Sequence, residues 1–132
     1  MNNKKLIIQC LCGLCLLLTA SLQAQSSIEG KWQDPDKGNT ILIYEEDGLF
    51  YGQLIAAANA EENAKIQEHG DKIVLFRQFE KKSETEFCCG TIYQPKAKKK
   101  LKGELKLLSQ NELKVTGKLG LIKGSKVWKR VE

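Results

Sequence analysis

The sequence predicts an all-β domain, an antiparallel up-and-down barrel of about eight strands with one short helix or long loop over residues 56–70. Three observations predict it. Short segments alternate apolar and polar residues with a period of two, the periodicity of strands. Clusters of Gly, Asn, Asp and Lys punctuate those segments at hairpin spacing. The single helix-like segment is poor in large apolar residues and cannot cover a sheet face, so the sheet must find its cover by closing on itself, which also removes its edges. A two-sheet sandwich is the alternative, because periodicity does not distinguish the two.

The chain opens on a segment that is not part of this domain. Lys4 and Lys5 precede an apolar stretch from Leu6 to Ala20, too short to span a bilayer comfortably, and Ser21-Leu22-Gln23-Ala24 supplies a small-residue exit. Residues 1–24 therefore read as a signal peptide and residues 25–132 as one β-barrel domain. The expected location is periplasmic or extracellular, with no transmembrane segment in the mature chain. Cys10, Cys12 and Cys15 leave with the leader, so of five cysteines only Cys88 and Cys89 remain. Cys15 follows Leu14 and comes too early for a lipid-anchored cysteine.

Strands are expected at 28–33, 40–45, 49–55, 73–79, 86–93, 101–108, 112–119 and 125–131. The clearest are the sixth and seventh. Leu101, Gly103, Leu105 and Leu107 alternate with lysines and Glu104, and Leu113, Val115, Gly117 and Leu119 alternate with Glu112, Lys114, Thr116 and Lys118. Ser109-Gln110-Asn111 joins them. Glu46-Asp47-Gly48 joins the second and third strands, its glycine free to take a positive φ, and Lys123-Gly124 leads into the last. Between the third and fourth strands, 56–70 is rich in Ala and Glu and ends at Gly70, as a short helix would.

Without the leader, 19 basic residues face 16 acidic ones, a net charge of +3. The distribution is uneven. Residues 25–95 hold 7 basic and 13 acidic residues, whereas 96–132 hold 12 and 3, which predicts a polarised field if the fold keeps the halves apart. In an exported protein the acidic partners are lipid head groups, polysaccharides or proteins, and nucleic acid is excluded.

Gly30-Lys31-Trp32 looks like the glycine-x-tryptophan signature of lipocalin-like barrels, and Arg130 stands where such folds often set a basic residue over that tryptophan. Together with Asp47-Gly48-Leu49-Phe50-Tyr51-Gly52, Gly90-Thr91-Ile92-Tyr93-Gln94-Pro95, Leu113-Lys114-Val115-Thr116-Gly117 and Val127-Trp128-Lys129-Arg130, in order and spacing, the chain resembles the bacterial domain-of-unknown-function family 2147. That resemblance implies a small exported protein with a lipocalin-like barrel, able to hold a small apolar ligand and without established enzymatic activity. After Pro95 the chain departs from it: the family usually has an acidic turn with a glycine and then an aromatic, and here stand Lys96-Ala97-Lys98-Lys99-Lys100-Leu101.

Two functions are expected from this reading. The first is binding of a small apolar ligand in the barrel interior, lined by Trp32, Tyr51, Leu105, Val115, Trp128 and Arg130, with Gly103 and Gly117 leaving space. The second is an interaction protein with a filled barrel, docking an acidic envelope component through Lys96, Lys98, Lys99, Lys100 and Lys102, although lysines at strand ends also block unwanted pairing. No catalytic residues, cofactor or metal site are expected. One histidine, His69, and scattered serines make no triad, and the acids at Asp34, Asp36, Glu45, Glu46 and Asp47 fall in turns that favour them.

Cys88 and Cys89 are the redox candidates. Neighbours in a regular strand point to opposite faces, and their Cα atoms, about 3.8 Å apart, fall short of the usual disulfide span of about 4.4 to 6.8 Å. One sulfur is expected inside and the other outside, with a redox switch or an intermolecular bridge as the functional alternative. Adjacent cysteines also lack the gap with which two thiolates share a zinc ion.

Overall fold

A computed structural model describes residues 27–69 and 73–131. The expected leader, residues 1–24, and the expected helix end at Gly70 lie outside the described residues. Eight strands form a closed barrel in which each pairs antiparallel with its sequence neighbour and the last returns to the first. They are β1 (Gly30–Gln33), β2 (Thr40–Glu46), β3 (Leu49–Ala56), β4 (Val74–Lys81), β5 (Glu86–Gln94), β6 (Lys99–Ser109), β7 (Glu112–Leu119) and β8 (Ile122–Val131), with α1 (Ala60–His69) between β3 and β4. The barrel, and not the sandwich, is the solution the chain adopts.

Period-two alternation places the core where the sequence predicts at the middle of β6 and the start of β7, but not at the end of β7, where Leu119 is exposed and Thr116 is buried with its Oγ1 2.8 Å from Ser125 Oγ. Leu105, Leu107, Leu113 and Val115 are buried while Lys106 and Lys114 between them are exposed. Asp47 and Gly48 both take positive φ, at 54° and 83°, the geometry of a tight hairpin between β2 and β3. In α1 the Asn59 side chain caps the first turn, its Oδ1 accepting from the backbone N–H groups of Glu61 and Glu62 at 2.9 and 3.1 Å. Ile66 alone among the helix residues is buried, in keeping with a segment too apolar-poor to cover a sheet.

Three further local expectations are corrected. The last strand begins at Ile122, not at 125, because Gly120, at φ 62°, turns the chain with Leu121 and pairs Lys118 with Lys123 and Gly117 with Gly124. Asp34 is buried rather than solvated, its Oδ1 accepting from the Asp36 backbone N–H at 2.8 Å. The third correction concerns the cysteines.

Between the pairs Phe87↔Leu105 and Gly90↔Gly103, β5 carries Cys88 and Cys89 where β6 carries only Glu104. This extra residue is a β-bulge, with Cys89 at φ 65°. Phe87 and Gly90 are both buried, whereas Cys88 is half-buried and Cys89 exposed. Strict alternation is suspended at the bulge, and Cys88 and Cys89 form a disulfide with each other across a Cα separation of 3.8 Å. The facing strand compensates: Gln78 has φ 59°, which lets Phe76 and Phe79, three apart, both enter the core.

Phe79, brought inward by that second irregularity, and Leu101 fill the space that Gly103 and Gly117 were expected to leave. A Cβ at Gly90 would come within 2.4 Å of the Phe79 ring, and one at Gly103 within 2.5 Å. A Cβ at Gly117 would meet Leu101 at 2.8 Å. These glycines accommodate neighbouring side chains and do not create a pocket.

Candidate functional site: a cleft at the mouth of the barrel

In an up-and-down barrel alternate connections share one end. The end holding the Gly48, Thr85 and Asn111 turns is closed. Here Trp32 is fully buried and donates from Nε1 to the Ile28 carbonyl at 2.9 Å. The Arg130 guanidinium lies over its ring and donates to the carbonyls of Gln110 (2.6 Å), Glu29 (2.9 Å) and Ser27 (2.7 Å). Burial pushes the guanidinium pKa down, yet arginine stays charged in proteins. Gly30 is required at this point, because its φ of 135° suits glycine and a Cβ would come within 2.6 Å of Arg130 Nη1.

The opposite end carries the 34–39 loop, α1, the 95–98 turn and the 120–121 turn, and there a cleft of about 560 Å³ opens. Such a volume suits a small molecule. Leu54, Ile66, Ile73, Val74 and Leu75 supply apolar wall, while Lys37, Lys65, Arg77 and Lys96 supply four cations against the one acid Glu62. Glu62 Oε1 accepts from Lys96 Nζ at 2.5 Å, tying α1 to the β5–β6 turn across the rim. That hydrogen bond and the Lys96 charge hold the Glu62 carboxyl below its ordinary range. Among the described residues, then, a greasy wall and a cationic rim coincide.

The residues expected to line a ligand site are placed differently. Trp32, Leu105, Val115 and Trp128 are buried in the packed core, Trp128 lying 5.4 Å from Phe76 between ring centroids. Tyr51 is half-buried on the other face of β3 from Phe50 and Gly52, stacked on Tyr44 at 5.7 Å. None of these residues, nor Arg130, lines the mouth cleft. Of the expected docking lysines, Lys96 lines it, while Lys98, Lys99, Lys100 and Lys102 are exposed beside it on the turn and on β6.

Sequence reasoning missed Lys37, Lys65, Ile66, Leu75, Arg77 and Tyr93, which the fold gathers from four separate segments. The one local hint was Ile66, a lone large apolar residue in an Ala- and Glu-rich helix. It also missed the apolar tip of the β7–β8 turn at the same end of the barrel: Leu121 and Ile122 have relative exposures of 105% and 75%. Glu80, Cys88 and Cys89 place ligand-type atoms within 4.8 Å of one another, but sulfurs bonded to each other leave no thiolate for an ion.

A closed eight-stranded antiparallel barrel, with a buried tryptophan under an arginine at one end and an open mouth at the other, is a lipocalin-like barrel. The chain belongs to the family DUF2147, an uncharacterized protein conserved in bacteria, whose model matches residues 30–130. A solved structure, protein HP1028 from the human pathogen Helicobacter pylori, described as belonging to the lipocalin family, is similar in fold. It has a TM-score of 0.65 and 20% identity, over 80% of this chain and 84% of that one. No curated protein matches the chain.

Proposed function

We propose that the mature chain is an exported binding protein whose ligand is a small amphipathic molecule with an apolar body and an anionic head, held in the mouth cleft. One observation carries the reading: the apolar wall from Leu54 to Leu75 lies under a rim of Lys37, Lys65, Arg77 and Lys96. The apolar body is removed from water against the wall, a gain of about 25 cal/mol per Å² buried. The head group meets charge-assisted donors at the rim. The proposed site is therefore the mouth and not the packed Trp32 end of the barrel.

Calorimetric titration with dodecanoate, dodecanol and dodecylamine tests it. Dodecanoate is expected to bind about tenfold more tightly than dodecanol, a difference of about 1.4 kcal/mol, and Ile66→Asp to weaken both. Equal affinities for all three, or indifference to Ile66→Asp, would sink the mouth site.

A second reading is docking of this rim on an acidic envelope surface. Exposed Leu121 and Ile122 beside Lys123, with Lys98, Lys99 and Lys100 on the neighbouring turn and strand, favour it. Residues 25–132 should then co-sediment with vesicles containing anionic lipid, and Leu121→Glu should abolish it. Binding that survives Leu121→Glu and high salt would refute this reading.

A further inference from the structure

We propose that the Cys88–Cys89 disulfide is an exchange site for small anionic thiols, separate from the mouth cleft. The β5 bulge turns both cysteines away from the core, where Phe87 and Gly90 hold the inward positions. Cys88 lines a second cleft, of about 210 Å³, on the outer wall formed by β5 to β8. This volume admits the thiol end of a small molecule at Cys88.

Charge decides which small molecule. Lys82, Lys106, Lys114 and Lys123 line the cleft against Glu86 and Glu104, and Glu104 is already engaged by Lys118 Nζ at 2.9 Å. Glu80 faces Cys88 across the β4–β5 pair, its carboxylate within 4.8 Å of both sulfurs. The imbalance has a chain-level origin. Residues 96–132 hold 12 basic and 3 acidic residues, and β6, β7 and β8, which that segment forms, are neighbours in the barrel. A charge bias along the sequence becomes a basic wall in space, which steers anions to the cleft.

The chemistry is thiol–disulfide exchange. The incoming thiolate attacks Cys88 Sγ, the sulfur that lines the cleft. A mixed disulfide forms there, the Cys88–Cys89 bond breaks, and its electron pair stays on Cys89 Sγ, which takes a proton from water. A second thiolate attacks the small molecule's own sulfur in the mixed disulfide, releasing the Cys88 thiolate and a small-molecule disulfide. Two thiols are oxidised and one protein disulfide is reduced, a stoichiometric two-electron exchange.

The test uses the oxidised full chain with glutathione, 2-mercaptoethanol and cysteamine as anionic, neutral and cationic thiols. Alkylation, trypsin digestion and mass spectrometry follow the peptide 83–96, which carries Cys88 and Cys89 and none of the leader cysteines. Rates are compared per thiolate. Glutathione is expected to react about tenfold faster than 2-mercaptoethanol and cysteamine slowest, in line with electrostatic rate effects. Lys106→Glu with Lys114→Glu should erase that order, and 1 M salt should erase it in the unaltered chain, independently of how the variant folds. A charge-independent order of rates, resistance of the peptide to all three thiols, or its recovery as a dithiol from the untreated chain would each overturn the proposal.

Discussion

The guanidinium carbon of Arg130 lies 4.3 Å from the centroid of the Trp32 ring, and the two residues are register partners across β1 and β8. The contact therefore spans the seam at which the pairing of the first and last strands closes the barrel. The three carbonyls that Arg130 caps belong to the segment before β1 and to the β6–β7 turn, so a single side chain also ties down two connections at the closed end.

Arg130→Lys should cost about 2 kcal/mol, because an ammonium cannot reproduce the planar fork that reaches three carbonyls, even though it keeps the charge over the indole. Arg130→Ala should cost slightly more. Urea denaturation at neutral pH measures both, and a lysine variant as stable as the parent would show the fork to be dispensable.

Phe79 and Gly103 should behave as a coupled pair. A Cβ at Gly103 would lie 2.5 Å from the Phe79 ring, so Gly103→Ala should destabilise by about 1 to 3 kcal/mol through overpacking. Shortening the neighbour by Phe79→Leu should recover part of that loss, and a double-mutant cycle gives the coupling. Strict additivity of the two substitutions would contradict the packing described.

The Glu62–Lys96 tie should fail in acid. Lys96, by hydrogen bond first and by charge second, lowers the Glu62 carboxyl pKa below its ordinary value of 4.5. A depressed carboxyl pKa means that the stabilisation is present above the ordinary value and is lost as pH falls through the lowered folded value. The hold of α1 on the β5–β6 turn is thus complete at neutral pH and lost in acid. Carboxyl-carbon NMR titration should place the Glu62 midpoint below 4.5 and return it toward that value in Lys96→Ala. A midpoint that ignores Lys96 would show that the two do not pair in solution.

Much of the fold was legible because strand alternation is local. The inward set Leu105, Leu107, Leu113 and Val115 follows from a period of two read within each strand. The Trp32 and Arg130 contact was foreshadowed by the glycine-x-tryptophan pattern, whose glycine the structure explains through the space Arg130 takes up. The mouth was not legible, because Lys37, Ile66, Arg77 and Lys96 come from four segments whose convergence is a property of barrel closure. Lys96 was singled out for its place in a basic run rather than for its partner Glu62.

By itself, then, the sequence determined the strand count, the turns of its most regular hairpins and the burial of one face through most of their length, because each depends on near neighbours along the chain. Only the tertiary structure decided what happens where alternation breaks. A bulge exists only relative to a partner strand, so the outward turn of Cys88 and Cys89 needed the single residue Glu104 opposite them. The entry of both Phe76 and Phe79 into the core needed the room over Gly52 for the first and over Gly90 and Gly103 for the second. A cleft, likewise, is a relation between segments that no one of them contains.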